Sequence, residues 1–527
     1  MCIGASRARA GQALVRIGLI CAIFAWGALF VGPDKARAEP TQLTYALYDD
    51  IKDWDPAVAF SLEVAVLANV YETLVRYDPE VEGQVVPALA ESWSVSEDGL
   101  TWRFKLRDGV QFHDGSALTA QTVKKSLERT IELNRGASYI WSGVEAIDAP
   151  SDLVLTIRTR VPEPVDLIAS AQYGAYIVSS DAADNETAWF SEGRAVGTGP
   201  YQLIRWDRNQ QIVLERHTDY WGGTVDSDVD RVIYRIVREA ATQAQMIRTG
   251  AADVITLTSV AALRGFERQE DIVVDLVPSW TNAQFLINTG KYPTDNRLFR
   301  QALLHAWDYE NVATGVYDGA AEVARGIIPK TMWGHDPALK VPDFDLEEAK
   351  RLLEASGVPE KDWRLTASFI GTSVEYTNAL LLYQLNLAKL GVRLTLKPGP
   401  WGKIWDEAKN PRTAPHLQSM TWWPTYPTPA DWLVSLFRTE DAAIFNLSHY
   451  SNPAFDSLVD QGRALEVTDR EGAIALYQQA QQLLIDDAVG IFYADIRSRL
   501  IYRRQISGIR PNPAYATIFI DDLVVEP

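Results

Sequence analysis

Between residues 101 and 112 apolar and polar side chains alternate. Trp102, Phe104 and Leu106 stand against Arg103, Lys105 and Arg107, and Val110 and Phe112 resume the pattern after Asp108-Gly109. A period of two puts one set on a buried face, and Asp-Gly suits a tight turn. The segment therefore predicts a half-buried β-hairpin, bounded by a second turn at Asp114-Gly115. The period then lengthens. Thr119 stands at a capping position, with Val123, Leu127 and Ile131 on one helical face. Asp345 and Glu348 have capping-box spacing and open a helix that turns Ala349, Leu352 and Leu353 inward, with Gly357 just past its end. Asp469 starts another helix, which carries Ile474, Tyr477, Ala480 and Leu484 inward. From Thr41 to Pro87 apolar runs are broken by turn signals at Asp55-Pro56 and Asp78-Pro79. Hairpin-like β structure early and alternating strands and helices later predict an α/β protein.

The N-terminus follows neither period. Arg7, Arg9 and Arg16 precede an apolar run from Ile17 to Gly32, and Ala36-Arg37-Ala38 follows. Basic end, apolar core and small-residue site describe a secretory signal peptide, residues 1–38, cleaved after Ala38. The run is short of the ~20 residues of a membrane-spanning helix. Cys21 is not read as a lipid-attachment site: Gly18-Leu19-Ile20 before it is the wrong pattern, and cleavage there would split the apolar core. The expectation is an exported, soluble, acidic chain that begins at Glu39.

Composition narrows the function. The 527 residues are 47% hydrophobic and 23% charged, which describes a globular protein of more than one domain. The formal charge is −19 and becomes about −23 without the leader, so the field would repel nucleic acid. Cys2 and Cys21 both leave with the leader, which removes disulfides and thiol chemistry. His113, His217, His305, His335, His416 and His449 form no local metal box. No phosphate-binding loop or G-x-S-x-G elbow occurs, and Gly197-Thr198-Gly199 runs into Pro200, a turn. The acidic pairs Asp49-Asp50, Asp486-Asp487 and Asp521-Asp522 are expected on solvated faces of so acidic a chain, so nothing in them supports a hydrolase. No catalysis, cofactor or metal is expected.

The run from Ala90 through Trp93, Asp98-Gly99, Trp102, Phe104, Leu106, Gly109-Val110 and Phe112 to Gly115 resembles the family 5 solute-binding proteins of ABC importers, the oligopeptide, dipeptide and nickel-type receptors. Further blocks are similar and colinear: Leu118-Thr119-Ala120 to Arg129, Val196 to Tyr201, Tyr220-Trp221-Gly222, Asn288-Thr289, Arg300-Gln301-Ala302, and Asn446 with Asn452-Pro453. The resemblance implies a two-lobed periplasmic-binding-protein fold, type II and cluster C-like, with an extra domain inserted in the first lobe. On it, lobe I comprises 39–85, 198–278 and 500–527, the inserted domain 86–197, and lobe II 279–499. It also implies a monomeric periplasmic receptor that closes over a small organic solute, peptide-like by preference, and delivers it to a permease with separate ATPase subunits. A sugar, an opine or a metal chelate is the alternative solute, and an exported hydrolase the rival class.

Ligands engulfed in this way need large, stiff walls, which would account for 17 Trp and 21 Tyr. The run Thr421-Trp422-Trp423-Pro424-Thr425-Tyr426-Pro427-Thr428-Pro429 is the candidate wall, read as neither helix nor central strand. Trp401 and Trp405 are second candidates. Trp280 and Asn282 lie where the resemblance begins the second lobe. In peptide-binding members this wall carries an Asp that pairs with the free α-amino group. An ungapped reading puts Thr425 at that position, and Asp431 is the one carboxylate close by that could replace it.

Overall fold

The computed structural model describes residues 41–80, 85–223, 227–256, 260–266, 268–515 and 517–526. The predicted leader and its cleavage site at Ala38 lie outside the described residues.

The strands that build the molecule are β1 (Gln42–Leu47), β2 (Ala90–Val95), β3 (Thr101–Leu106), β4 (Val144–Ser151), β5 (Val154–Thr159), β6 (Tyr201–Asp207), β7 (Gln211–Arg216), β8 (Arg231–Ile236), β9 (Val254–Ile255), β10 (Ile272–Ile287), β11 (Ala321–Val323), β12 (Arg364–Ile370), β13 (Arg393–Gly399), β14 (Leu417–Trp422) and β15 (Gly490–Arg503). The main helices are α1 (Ala120–Leu133), α2 (Arg297–His305), α3 (Leu346–Ala355), α4 (Val374–Lys389), α5 (Trp401–Lys409), α6 (Pro429–Phe437), α7 (Pro453–Leu465) and α8 (Arg470–Asp486).

One mixed sheet runs in the order β13-β12-β14-β10-β15-β9-β1-β8-β7-β6, with β11 added against β15. Its spine is the antiparallel pair of the two longest strands, β10 and β15. Their ladder extends from Ile272 opposite Arg503 to Leu286 opposite Gly490 and is interrupted between Val277 and Thr281. Pro278 sits in that interruption, where its missing N–H costs no ladder bond. The β2-β3-β5-β4 sheet is separate and antiparallel, with α1 packed on it. No helix among the described residues is long and apolar enough to cross a membrane.

The helix caps fall where the pattern puts them. Thr119 accepts from the Thr122 N–H, Asp345 from the N–H groups of Glu347 and Glu348, and Asp469 from Gly472. The return half of the Asp345 box is not made: the Asp345 N–H donates to the His305 carbonyl, and the Glu348 carboxylate accepts from Arg351. The predicted inward faces are buried, except that Ile131 and Ile474 are only half-buried.

The predicted hairpin needs correction. Trp102, Phe104, Leu106, Val110 and Phe112 are all buried, and Gly109 has the positive φ of a turn. The chain does not fold back on itself there, however: β3 pairs with β2 and β5. The reversal comes at the second turn, where the Phe112 and Leu118 N–H groups donate to Ser116 and Val110. Alternation reports a buried face and says nothing about which strand lies alongside. The Gly197-Thr198-Gly199 turn has its own reason for glycine, since a Cβ at Gly197 would lie 2.1 Å from the Val70 carbonyl oxygen.

Candidate functional site

The candidate wall is partly regular structure, contrary to its reading as neither helix nor strand. Thr421 and Trp422 end β14, an interior strand, and Pro429 is the first residue of α6, capped by the Thr428 hydroxyl. Proline and tryptophan content hid this because a strand end and a first helical turn both tolerate those residues.

Register assembles the site. In the β10-β14 ladder Asn282 lies opposite Trp422, and Gln284 opposite Met420. Residues opposite one another share a face, so Trp280, Asn282, Gln284, Met420 and Trp422 lie on one side of the sheet. Phe285, Ile287 and Leu417 pack into the core on the other side. Past Trp422 the chain loops back, and α6 brings Asp431 beneath it. Asp431 Oδ2 accepts from Trp422 Nε1 at 3.1 Å and from the Thr425 N–H at 3.0 Å. The other oxygen, Oδ1, has no donor among the described residues although Asp431 is only 1% exposed. Burial pushes the Asp431 carboxyl up to about 7, against which the Thr425 and Trp422 donors pull.

Segments from the N-terminal half cover this wall. The Tyr139 and Thr425 hydroxyls share a hydrogen bond of 2.7 Å. Gln172 Nε2 donates to the Pro424 carbonyl, and the Tyr173 hydroxyl is within hydrogen-bond reach of Trp423. Tyr426 is buried beside Arg463, whose guanidinium pairs with Glu163 at 2.9 Å. Aromatic rings continue the junction. Trp401 stacks on Trp405, Trp405 on Phe445, and Phe445 on Phe60, with centroids 5.8 to 6.2 Å apart. Trp422 meets Phe445 edge-on at 5.1 Å.

Trp422, Thr425, Tyr426, Asp431 and Asn282 therefore come together directly. Trp423 adjoins them, and Trp401 and Trp405 join through Phe445. Trp280 shares the face but packs against Tyr77, with centroids 5.0 Å apart. Sequence reasoning missed Phe60, Tyr139 and Phe445, and no period or turn signal marked them. Among the described residues no group of three His, Cys, Asp or Glu could hold a metal ion.

Known proteins of the same build place these features in context. A probable D,D-dipeptide-binding periplasmic protein of Escherichia coli (strain K12) is 27% identical over 92% of each chain. A glutathione-binding protein of Pectobacterium atrosepticum is 28% identical over 86% of this chain and 88% of its own. Among solved structures, a periplasmic binding protein of Helicobacter pylori in complex with the peptide STSA superposes with a TM-score of 0.80. It is 25% identical, covering 92% of this chain and 98% of its own. A dipeptide-binding protein from a Pseudoalteromonas species, in complex with Met-Leu, gives the same TM-score at 24% identity, over 92% of this chain and all of its own. These likenesses carry the two-lobed type II fold. The model for the bacterial extracellular solute-binding proteins, family 5, matches residues 84–443, well over half of the chain, and the protein belongs to that family.

Proposed function

We propose that this chain is the periplasmic receptor of an ABC importer, capturing a peptide or peptide-like solute by its amino end at Asp431. One observation carries the reading. A buried carboxylate oxygen without a donor, set in an aromatic wall, is costly unless the ligand brings a cation to it. Its neighbours fit the role. Trp422 and Thr425 orient the carboxylate from behind, while Phe445, Tyr139 and Trp423 supply apolar and hydroxyl surface to a varied side chain. On this reading Asp431 takes over, from the first turn of α6, the work of the aspartate that Thr425 replaces.

In the same reading residues 39–85, 198–278 and 500–527 form one lobe, 86–197 are inserted in it, and 279–499 form the other. The contacts of Phe60, Tyr139, Gln172 and Glu163 with the wall are those of the closed state. The interruption of the β10-β15 ladder beside Pro278 is the hinge, where two strands cross between lobes and few ladder bonds resist bending. The leader directs export and is cleaved after Ala38, and the mature monomer hands its solute to a permease driven by separate ATPase subunits.

The test is titration calorimetry with dipeptides and their N-acetylated forms, alongside mass spectrometry of whatever co-purifies. Free dipeptides bind stoichiometrically and acetylation abolishes binding. Equal affinity for the acetylated forms removes the amino end from the site, and catalytic product formation removes the receptor reading.

A further inference from the structure

The wall is one end of a longer polar row. Asn282 lies opposite Trp422 on one side and opposite Asp495 on the other, and Asp495 in turn lies opposite Glu322 of β11. One residue from each of four neighbouring strands thus shares a face. Strands lie about 4.8 Å apart, so Trp422 and Asp495 are separated by roughly 10 Å of sheet, with Asn282 between them.

Among the described residues, three side-chain oxygens on or beside this row have no donor: Asp431 Oδ1, Asn282 Oδ1 and Asp495 Oδ1. Asn282 is 2% exposed; its amide nitrogen donates to the Ile327 carbonyl at 2.6 Å, and its oxygen is left without a donor. Asp495 Oδ2 accepts from the Lys330 backbone N–H at 3.2 Å. The Lys330 ammonium and one nitrogen of the Arg497 guanidinium bond Glu322. Asp495 also lines a cavity of about 730 Å³, with Glu310, Glu322, Arg325, Lys330 and His335 around it.

We propose that the solute carries two positive charges: its amino end at Asp431, and a basic side chain that crosses Asn282 to reach Asp495. The substrate class is thereby a short peptide or conjugate containing a lysine-, ornithine- or arginine-like residue. The inference rests on the assignment of Asp431 above and extends it. Acceptors without donors along this row, buried at Asn282 and half-buried at Asp495, are complemented by a ligand rich in N–H groups, and a cation serves two of them best. Burial and the Glu322 charge push the Asp495 carboxyl up to about 7, against the Lys330 N–H and ammonium. Arg325 and His335 on the cavity rim make the far end a mixed site. That suits a basic residue with its own carboxylate better than a bare diamine.

Calorimetric titration at pH 8 with alanyl-lysine and alanyl-leucine tests this on the wild type, Asp495→Asn and Asp431→Asn. Wild type prefers alanyl-lysine by about tenfold or more. Asp495→Asn loses that preference and keeps its alanyl-leucine affinity, whereas Asp431→Asn weakens both. Equal wild-type affinities, or a preference that survives in Asp495→Asn, overturn the second charge and leave Asp431 in place. Binding of neither dipeptide to wild type overturns the amino-end assignment and this inference with it. Should Asp495→Asn melt well below wild type, Asp495→Ser provides the same comparison, and the wild-type preference alone still decides.

Discussion

Replacing Asp431 by asparagine should stabilise the solute-free protein while abolishing its function. Burial raises this carboxyl from 3.8 to about 7 in the folded chain. Because the native state holds the proton more tightly than the unfolded state, stability falls as pH rises from about 4 to about 7 and is level above. Roughly three units at 1.36 kcal/mol each place on the order of 4 kcal/mol against the native state at pH 8. The asparagine carbonyl can still accept from Trp422 Nε1 and the Thr425 N–H, and its amide needs no ionisation. At ~2.1 cal/mol/K per residue, a chain of roughly 490 residues has an unfolding entropy of ~1 kcal/mol/K, so the gain at pH 8 is at most about 4 °C. Differential scanning calorimetry without solute should show the variant melting higher at pH 8 and level with wild type at pH 4. Calorimetric titration should show affinity for an amine solute reduced about thirtyfold or more, the cost of breaking a buried charge pair. A variant that melts lower at both pH values, or that binds as tightly as wild type, would refute the reasoning.

Three further outcomes follow from the same packing. Trp422→Ala removes the indole donor behind Asp431 and the edge contact with Phe445, so tryptophan-fluorescence titration should show binding weakened by more than about tenfold, 1.4 kcal/mol. Gly197→Ala forces a Cβ against the Val70 carbonyl, and chemical denaturation should register a loss of about 1–3 kcal/mol with no change in solute specificity. Asp55→Ala strands the Arg129 guanidinium, which bonds both oxygens of that fully buried carboxylate at 2.9 and 2.7 Å; denaturation should show about 3–5 kcal/mol lost.

What the sequence made legible depended on the range of the interaction. Helix starts are local, and Thr119, Asp345 and Asp469 cap the helices that their spacing announces. Buried faces are local too, which is why Trp102, Phe104 and Leu106 were placed correctly while their partner strands were not. The aromatic wall was visible as composition around Trp422. The oxygen that matters in it was not, because its status depends on Asp431 folding back nine residues to meet Trp422. Phe60, Tyr139 and Phe445 reach the site from segments up to hundreds of residues apart, and no period marks them. The row from Trp422 to Glu322 is a product of register, which a strand pattern leaves open because each strand reads the same beside any neighbour.

The contacts that cover the wall also bear on how a solute holds the protein closed. They include a ring stack, a hydroxyl pair, an amide bond and an ion pair, Glu163 with Arg463. Glu163 is almost fully buried and burial raises its carboxyl despite the neighbouring guanidiniums, so this pair gives back in desolvation much of what it gains by attraction. The remaining contacts among these are neutral. Closure therefore needs a contribution from a solute that interacts differently with the open and closed forms. On the proposed assignment Asp431 provides that difference. Enclosed by Trp422, Thr425 and Tyr139, its ionised carboxylate carries the burial penalty unless a cation arrives with the solute. A cationic solute relieves that penalty, while a neutral one leaves it standing. Since that penalty exists only for the ionised carboxyl, affinity for the cation should rise with pH up to about 7 and then level off.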